Sequence, residues 1–309
     1  MKLLYLTNVQ IPADDAQNLQ IQSMCKVFYN YLENDFLLIS PLNNRNKRFN
    51  SVYQWKRVRI FRKFPRELKQ LIFLLKTIFL VNKYQPDIIY TRDIVVAWFY
   101  KKLGYQTVYE IHNPFETKIG NLIFKLVASK IKIVATHNAL KCFIIEKYNL
   151  NAENILVARN GVFLEDYDKI KEKREILKEK YLGLERDDFV VMYSGNFQEG
   201  KGIELIFEAA TQLPKTFFAI IGGNKEEIKR MSNAPKNILF LGRKLQEEIP
   251  SYLKSSDLLV LPFTKKLRTY NYHCSLKIFQ YMASNVPILT SEGGATMEIL
   301  NFYNSFLFN

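Results

Sequence analysis

The segment VVMYSGNFQEGKGIELIFEAA reads as a strand ending at Gly195, a loop, and a helix opening near Gly202. Such a loop delivers free backbone amides and the ammonium of Lys201 to one point. A helix N-terminus already carries unpaired N–H groups and partial positive charge there. The chemistry on offer is oxyanion binding. In an open α/β sheet the same loop falls at the carboxyl ends of the strands, where ligands bind. Taken alone, the segment also fits an ordinary strand–loop–helix connection with a solvated lysine.

A second group of polar residues lies in the first half. TVYEIHNP places Glu110 and His112 at a strand end, with Asn113 and Pro114 turning the chain, and PDIIYTRD places Arg92 at another. A histidine so placed serves a ligand about as often as it serves the scaffold, and an arginine has a salt bridge as its ordinary use. The loop NVQIPADDAQNLQIQSM, after the first strand, carries Gln17 and Asn18. It lacks the G-x-G-x-x-G turn that a dinucleotide pyrophosphate requires, which argues against a nicotinamide enzyme.

These residues need a frame, and the apolar pattern supplies one. KLLYLT is followed by Ile21, Met24, Cys25, Phe28, Tyr31 and Leu32 at helical spacing and then by FLLIS, which is βαβ order. DIIYT, TVYEI, KIVAT and NILVA continue it as near-continuous apolar strands of a parallel sheet buried on both faces. After the highly charged stretch EDYDKIKEKREILKEKYLGLERDD a second series runs through FVVMYSG, FFAIIGG, NILFLG, DLLVLP and VPILTS. The expected fold class is α/β, with two Rossmann-like, doubly wound parallel-sheet domains facing across a cleft. Residues 1–165 form the first domain, 166–187 a connector and 188–309 the second. The length of 309 residues agrees with two domains at roughly 150 residues each.

Composition narrows the class. With 48% hydrophobic and 24% charged residues the chain is neither disordered nor fibrous. Three cysteines, Cys25, Cys142 and Cys274, stand far apart and suggest neither a disulfide framework nor a metal site. The opening MKLLYLTNVQIPADD is too short an apolar run for a secretory segment. The stretch Leu71 to Val81 is interrupted by Lys76 and is about half of what a spanning helix needs. A cytoplasmic protein is expected. The formal charge of +14 is concentrated: Arg45 to Lys83 holds twelve Lys/Arg against Glu67 alone. This predicts a basic surface over residues 45–83 that meets an anionic membrane, with Leu71, Ile72, Leu74, Leu75, Ile78 and Phe79 divided between core and lipid, and hence a peripheral position at the inner face of the membrane. A solvated basic face is the plainer alternative. No nucleic-acid-binding motif accompanies the charge, so nucleic acid is not expected as a partner.

Several segments together resemble one family. Gly195, Asn196, Lys201 and Gly202 are similar to the G-[R/S/N]-x4-K-G pattern of family 4 glycosyltransferases (glycosyl transferases group 1), and HCSLKIFQYMASNVPILTSEGG resembles that family's S-P-L-K-L-F-E-Y-M-A-S-G-x-P-I-V segment. VARNGVFLEDY resembles its P-N-G-V-D junction, keeping Asn160 and Gly161 with Phe163 for the aspartate, and Gly242, Arg243 and Lys244 match a turn that frames the nucleotide base. The first loop resembles its acceptor-side I-P-x4-A-N-x-I-Q-x-M.

The resemblance implies the GT-B architecture and a retaining enzyme of the S-P-L-K branch that uses no metal and no cofactor. Its donor would be a UDP-sugar or GDP-sugar, and its acceptor a saccharide or lipid-linked glycan, in surface polysaccharide or glycolipid synthesis. By that likeness Lys201 and His112 are catalytic, Lys201 at the diphosphate and His112 at the transferred sugar. Gly195, Asn196, Gly202, Arg243, Cys274, Ser275, Leu276, Lys277 and Gln280 bind the donor, and Gln17, Asn18, Arg92, Glu110 and Asn113 lie on the acceptor side. Asn196 stands where an arginine is frequent, and Gln280 where the family holds the ribose with a glutamate. These departures motivate the alternative of a catalytically weak GT-B-like binding or partner subunit. Phe279, Tyr281 and Met282 are expected as helix core. The family's terminal helix, which would cross back to the first domain, is expected to be missing after Asn309.

Overall fold

The computed structural model describes residues 1–11, 16–42, 52–60, 65–115 and 117–308. The chain divides into two compact units, Met1–Arg159 and Asn160–Asn309.

In the first unit the elements follow as β1 (Leu3–Leu6), α1 (Ala16–Leu32), β2 (Phe36–Pro41), β3 (Gln54–Val58), α2 (Arg66–Tyr84), β4 (Ile88–Thr91), α3 (Ile94–Lys102), β5 (Thr107–Ile111), α4 (Lys118–Val127), β6 (Lys132–Ala135), α5 (Asn138–Tyr148) and β7 (Ile155–Val157). The strands form a parallel sheet in the order β3-β2-β1-β4-β5-β6-β7. β1 and β2 are buried at every position because helices cover both faces. α1 packs Ile21 and Cys25 on Leu3 and Tyr5. On the opposite face α2 and α3 pack Phe73 and Tyr100 on Leu4 and Leu6, and α4 and α5 pack Phe124 and Ile144 beside α3. The Asp93 carboxylate caps α3 by accepting from the amides of Val95 and Val96.

β3 was not anticipated from the sequence, because Lys56 and Arg57 within QWKRV break the apolar run. It is an edge strand, and charged side chains are tolerated at a sheet edge. Its register is held by Trp55, whose Nε1 donates to Ser40 Oγ at 2.9 Å across from β2.

The second unit runs α6 (Glu165–Asp168), α7 (Arg174–Leu182), β8 (Val190–Ser194), α8 (Ile203–Gln212), β9 (Phe217–Ile221), α9 (Lys225–Lys229), β10 (Ile238–Gly242), α10 (Ile249–Lys254), β11 (Leu258–Leu261), α11 (Leu276–Ser284), β12 (Ile288–Ser291) and β13 (Phe306–Phe308). Its parallel sheet has the order β10-β9-β8-β11-β12-β13. The strand order reverses at β8, as it does at β1 in the first unit. In open α/β sheets this switch point opens a crevice at the carboxyl ends of the strands.

Residues 166–187 fall within the second unit. Lys178 on α7, 3% exposed, meets Asp257 Oδ2 at 3.0 Å, and that oxygen also accepts from the Val190 amide at 2.8 Å. Arg174 Nη1 reaches the other Asp257 oxygen at 3.4 Å. One carboxylate thereby ties α7 to the starts of β8 and β11.

Candidate functional site

Two loops meet beside the β8 switch point. The first leaves β8 at Gly195, whose amide donates to Ile221 O at 2.9 Å, and enters α8 at Gly202. Gly202 has φ +72, and a Cβ on it would lie 1.5 Å from the carbonyl oxygen of Pro262. Glycine is therefore required there by both backbone conformation and space. The contact presses the Lys201 loop onto the second loop, which runs from β11 to α11. Lys201 Nζ lies 3.1 Å from His273 Nε2, and the other imidazole nitrogen faces Thr269 Oγ1 at 3.4 Å. The ring stands edge-on to Phe263, and the His273 carbonyl accepts from Thr296 Oγ1 at 3.1 Å. Sequence reasoning did not single out His273, since an isolated histidine before a helix carries no signal until its neighbour in space is known.

α11 opens at the same place. Ser275 is its N-cap, with Oγ accepting from the Lys277 amide at 3.3 Å. Leu276 begins the helix, and Cys274 just before it is a half-buried free thiol. Tyr281 Oη accepts the Ser194 amide at 2.8 Å, which locks the end of β8 to α11. Gln280 is 2% exposed, and its Oε1 is buried without a hydrogen-bond partner. Burial pushes the ammonium groups of Lys201 and Lys277 down to about 8. Among the described residues no carboxylate pairs with either lysine. The poorly solvated Lys201 ammonium, beside the N-terminal amides of α11, offers a place for an oxyanion.

The remaining positions scatter. Asn196 and Arg243 are exposed, and the Asn196 carbonyl accepts from Tyr193 Oη at 2.8 Å. Tyr281 is fully buried and Phe279 packs against the same core. Met282, expected in that core, is 44% exposed, because the helix turns this position away from the sheet.

In the first unit Arg92, Glu110 and His112 gather at the ends of β4 and β5. Glu110 is 4% exposed and accepts from Tyr90 Oη at 2.9 Å, with His112 Nε2 at 2.5 Å from its other oxygen. Burial alone would raise the Glu110 carboxyl. The His112 hydrogen bond and the Arg92 charge outweigh it and hold the group below its ordinary value. Burial lowers His112, against the pull of Glu110, and Arg92 adds to the lowering. The neutral imidazole then donates a hydrogen bond from Nε2–H to Glu110 and keeps Nδ1 as an acceptor. Arg92 Nη2 donates to Gln20 at 3.0 Å, while its Nε and Nη1 are buried without partners. Asn18 is buried, and Gln17 and Asn113 are exposed.

A surface depression of about 720 Å³, lined by Phe207, Thr211, Pro214 and Lys236 among others, opens at the amino ends of β9 and β10. It lies at the opposite edge of the sheet from Lys201. Among the described residues no group of three His, Cys, Asp or Glu side chains is placed to hold a metal ion.

The chain is similar to known proteins. Residues 188–309 match the family model described as Glycosyl transferases group 1. The matched segment contains Lys201, His273 and all of α11. Over a longer span the chain is 28% identical to the UDP-Gal:alpha-D-GlcNAc-diphosphoundecaprenol alpha-1,3-galactosyltransferase of Escherichia coli, covering 78% of this chain and 66% of that protein. It is 27% identical to the alpha-galactosylglucosyldiacylglycerol synthase of Streptococcus pneumoniae, over 45% of this chain and 38% of that one. The chain thus spans from under two fifths to about two thirds of the length of these relatives. Among solved structures, Anabaena HepE in complex with UDP-glucose superposes with a TM-score of 0.76 at 19% identity, over 100% of this chain and 85% of that one. The likeness in structure extends beyond the matched segment to both units, and the fold is GT-B.

Proposed function

We propose that this chain is a retaining family 4 glycosyltransferase that moves a sugar from a uridine diphosphate donor to a lipid-linked saccharide or glycolipid. The observation that carries the reading is Lys201, a poorly solvated ammonium with no carboxylate partner among the described residues, beside the capped N-terminus of α11 at the switch point of the segment that matches the group 1 model. Uridine is the base to test first because HepE is described with UDP-glucose and the galactosyltransferase is named for UDP-Gal. Both named relatives act on lipid-borne substrates, which supports the acceptor class.

In this reading Lys201 and the amides at Ser275 and Leu276 stabilise the charge that builds on the diphosphate as the sugar–phosphate bond breaks. Gln280 offers its buried carbonyl oxygen to a ribose hydroxyl. His112, oriented by Glu110, serves the transferred sugar, while Arg92, Asn18, Gln17 and Asn113 serve the acceptor side. Calorimetric titration with UDP, GDP and ADP, followed by transfer from UDP-sugars to undecaprenyl-diphosphate-linked and diacylglycerol-linked acceptors, tests the proposal. Micromolar UDP binding with transfer is expected. Binding without turnover on any acceptor would instead favour a partner subunit.

We also propose that the first unit rests on an anionic membrane. Leu71, Leu75 and Phe79 of α2 are 50%, 56% and 72% exposed in one stripe, and Ile119, Leu122 and Leu126 of α4 are 71%, 58% and 56% exposed in another. Leu74 is core, and Ile72 and Ile78 are half-buried. Both helices lie on the same sheet face. Residues 118–130 carry Lys118, Lys125 and Lys130 and no acid. Much of the basic stretch, residues 43–51 and 61–64, lies outside the described residues. No described helix is long and apolar enough to cross a membrane, so contact would be interfacial.

A further inference from the structure

We propose that His273 is a second ligand of the donor diphosphate. Its Nε2, which here accepts from Lys201, takes up a proton when a nucleoside diphosphate binds and then donates to a phosphate oxygen beside the lysine. The inference rests on the diphosphate reading of the Lys201 site and adds to it a residue and a change of protonation.

The geometry dictates the starting state. An ammonium offers donors only, so the imidazole nitrogen 3.1 Å from Lys201 Nζ must present its lone pair. The ring is therefore neutral, and its proton sits on Nδ1, facing Thr269 Oγ1. The ring meets Lys201, Thr269 and the edge of Phe263 among its contacts. A second positive charge next to Lys201 is disfavoured.

A diphosphate reverses that balance. Lys201 turns from Nε2 to a phosphate oxygen, the lone pair of Nε2 is released, and the local charge changes sign. Histidine is the side chain whose ordinary titration lies closest to neutrality, so a nearby polyanion suffices to protonate it. One proton moves from solvent to Nε2, and no covalent bond forms or breaks. The ring needs little movement, because its backbone is held by Thr296 on one side and leads into the Ser275 cap on the other. Donor binding thus draws on two cations from two different loops. As the sugar leaves, both face the growing charge on the leaving diphosphate.

The test uses the full chain. UDP is titrated at pH 7.5 in buffers of different ionisation enthalpy, with wild type, His273→Gln, His273→Ala and His273→Arg, and uridine serves as a ligand without phosphate. Wild type should take up more protons per UDP bound than His273→Gln, approaching one. The glutamine variant keeps an acceptor for Lys201 but cannot become charged. It should lose about tenfold in UDP affinity, like the alanine variant, while uridine affinity stays unchanged. His273→Arg should recover most of the loss. An ¹⁵N spectrum of the imidazole should show an imidazolium only with UDP present. Full UDP affinity and unchanged proton uptake in His273→Gln would overturn the proposal, leaving His273 as a rest for Lys201. If wild type binds neither UDP nor inorganic pyrophosphate, the donor reading itself fails.

Discussion

At Lys201 and Lys277 the cost of desolvation and the use of charge oppose each other. Both groups titrate near 8, below the ordinary lysine value, because burial disfavours the charged form. The charged form dominates below that pH. In His273→Gln, whose side chain takes up no proton, UDP affinity should therefore hold from about pH 7 to 8 and fall as pH rises through 8 to 9.5. In wild type, proton uptake at His273 adds a fall already present between about pH 7 and 8. Lys201→Arg should flatten the part due to this residue, since a guanidinium stays charged. A profile without any fall above pH 8 would refute the assignment. The stability effect has the opposite sign. Between pH 8 and the unfolded value of about 10.4 the unfolded chain binds more protons at these lysines, so their contribution to stability rises with pH over that window. Lys277→Met should remove its share of the rise in a denaturant series, leaving that of Lys201. Lys201→Ala should lower kcat/KM by about 10²–10³, the scale of losing one group that stabilises a developing oxyanion, with an unchanged circular dichroism spectrum. Tyr281→Phe leaves the Ser194 amide buried without its acceptor and should cost about 1–3 kcal/mol in urea unfolding.

Helices α7, α2 and α4 show how elements are recruited by contacts outside themselves. α7 has a strongly charged sequence that reads as a spacer, yet Lys178 reaches Asp257 and the carbonyls of Arg186 and Asp188. Asp257→Ala would strand a buried ammonium and should destabilise the second unit by about 3–5 kcal/mol. A cost below 1 kcal/mol would show that α7 is held by its apolar face alone. On α2 and α4 the exposed leucines and Phe79 are not needed by the core. Replacing Leu71, Leu75, Phe79, Ile119, Leu122 and Leu126 by Gln should leave the unfolding midpoint near wild type and greatly weaken flotation with vesicles containing phosphatidylglycerol. Equal flotation of wild type with neutral and anionic vesicles would contradict the charge part of the proposal.

For the molecule as a whole, two units with separate cores imply that ligand effects need not spread evenly. If both loops supply groups to one diphosphate, as proposed, hydrogen exchange of the full chain with saturating UDP should slow at residues 195–203 and 270–280. Protection concentrated instead at 207–217 and 233–237 would place the nucleotide in the depression at the amino ends of β9 and β10.

The strand–helix rhythm, the two parallel sheets and the Lys201 loop were legible because each is a local pattern of period or spacing. So was α11, from CSLKIFQYMAS. β3 was not legible, since an edge strand needs only one buried side and tolerates Lys56 and Arg57. Nor was the exposure of Met282, which depends on how α11 is rolled on its sheet. The membership of α7 in the second unit, the joining of Lys201 to His273 and the Tyr90–Glu110–His112 contact were decided by the tertiary structure. Each joins residues through a crossover or across neighbouring strands, and the energy that selects it is a hydrogen bond or ion pair made in a buried place. Such energies exist only after the chain has closed, because hydration offsets them in the open chain.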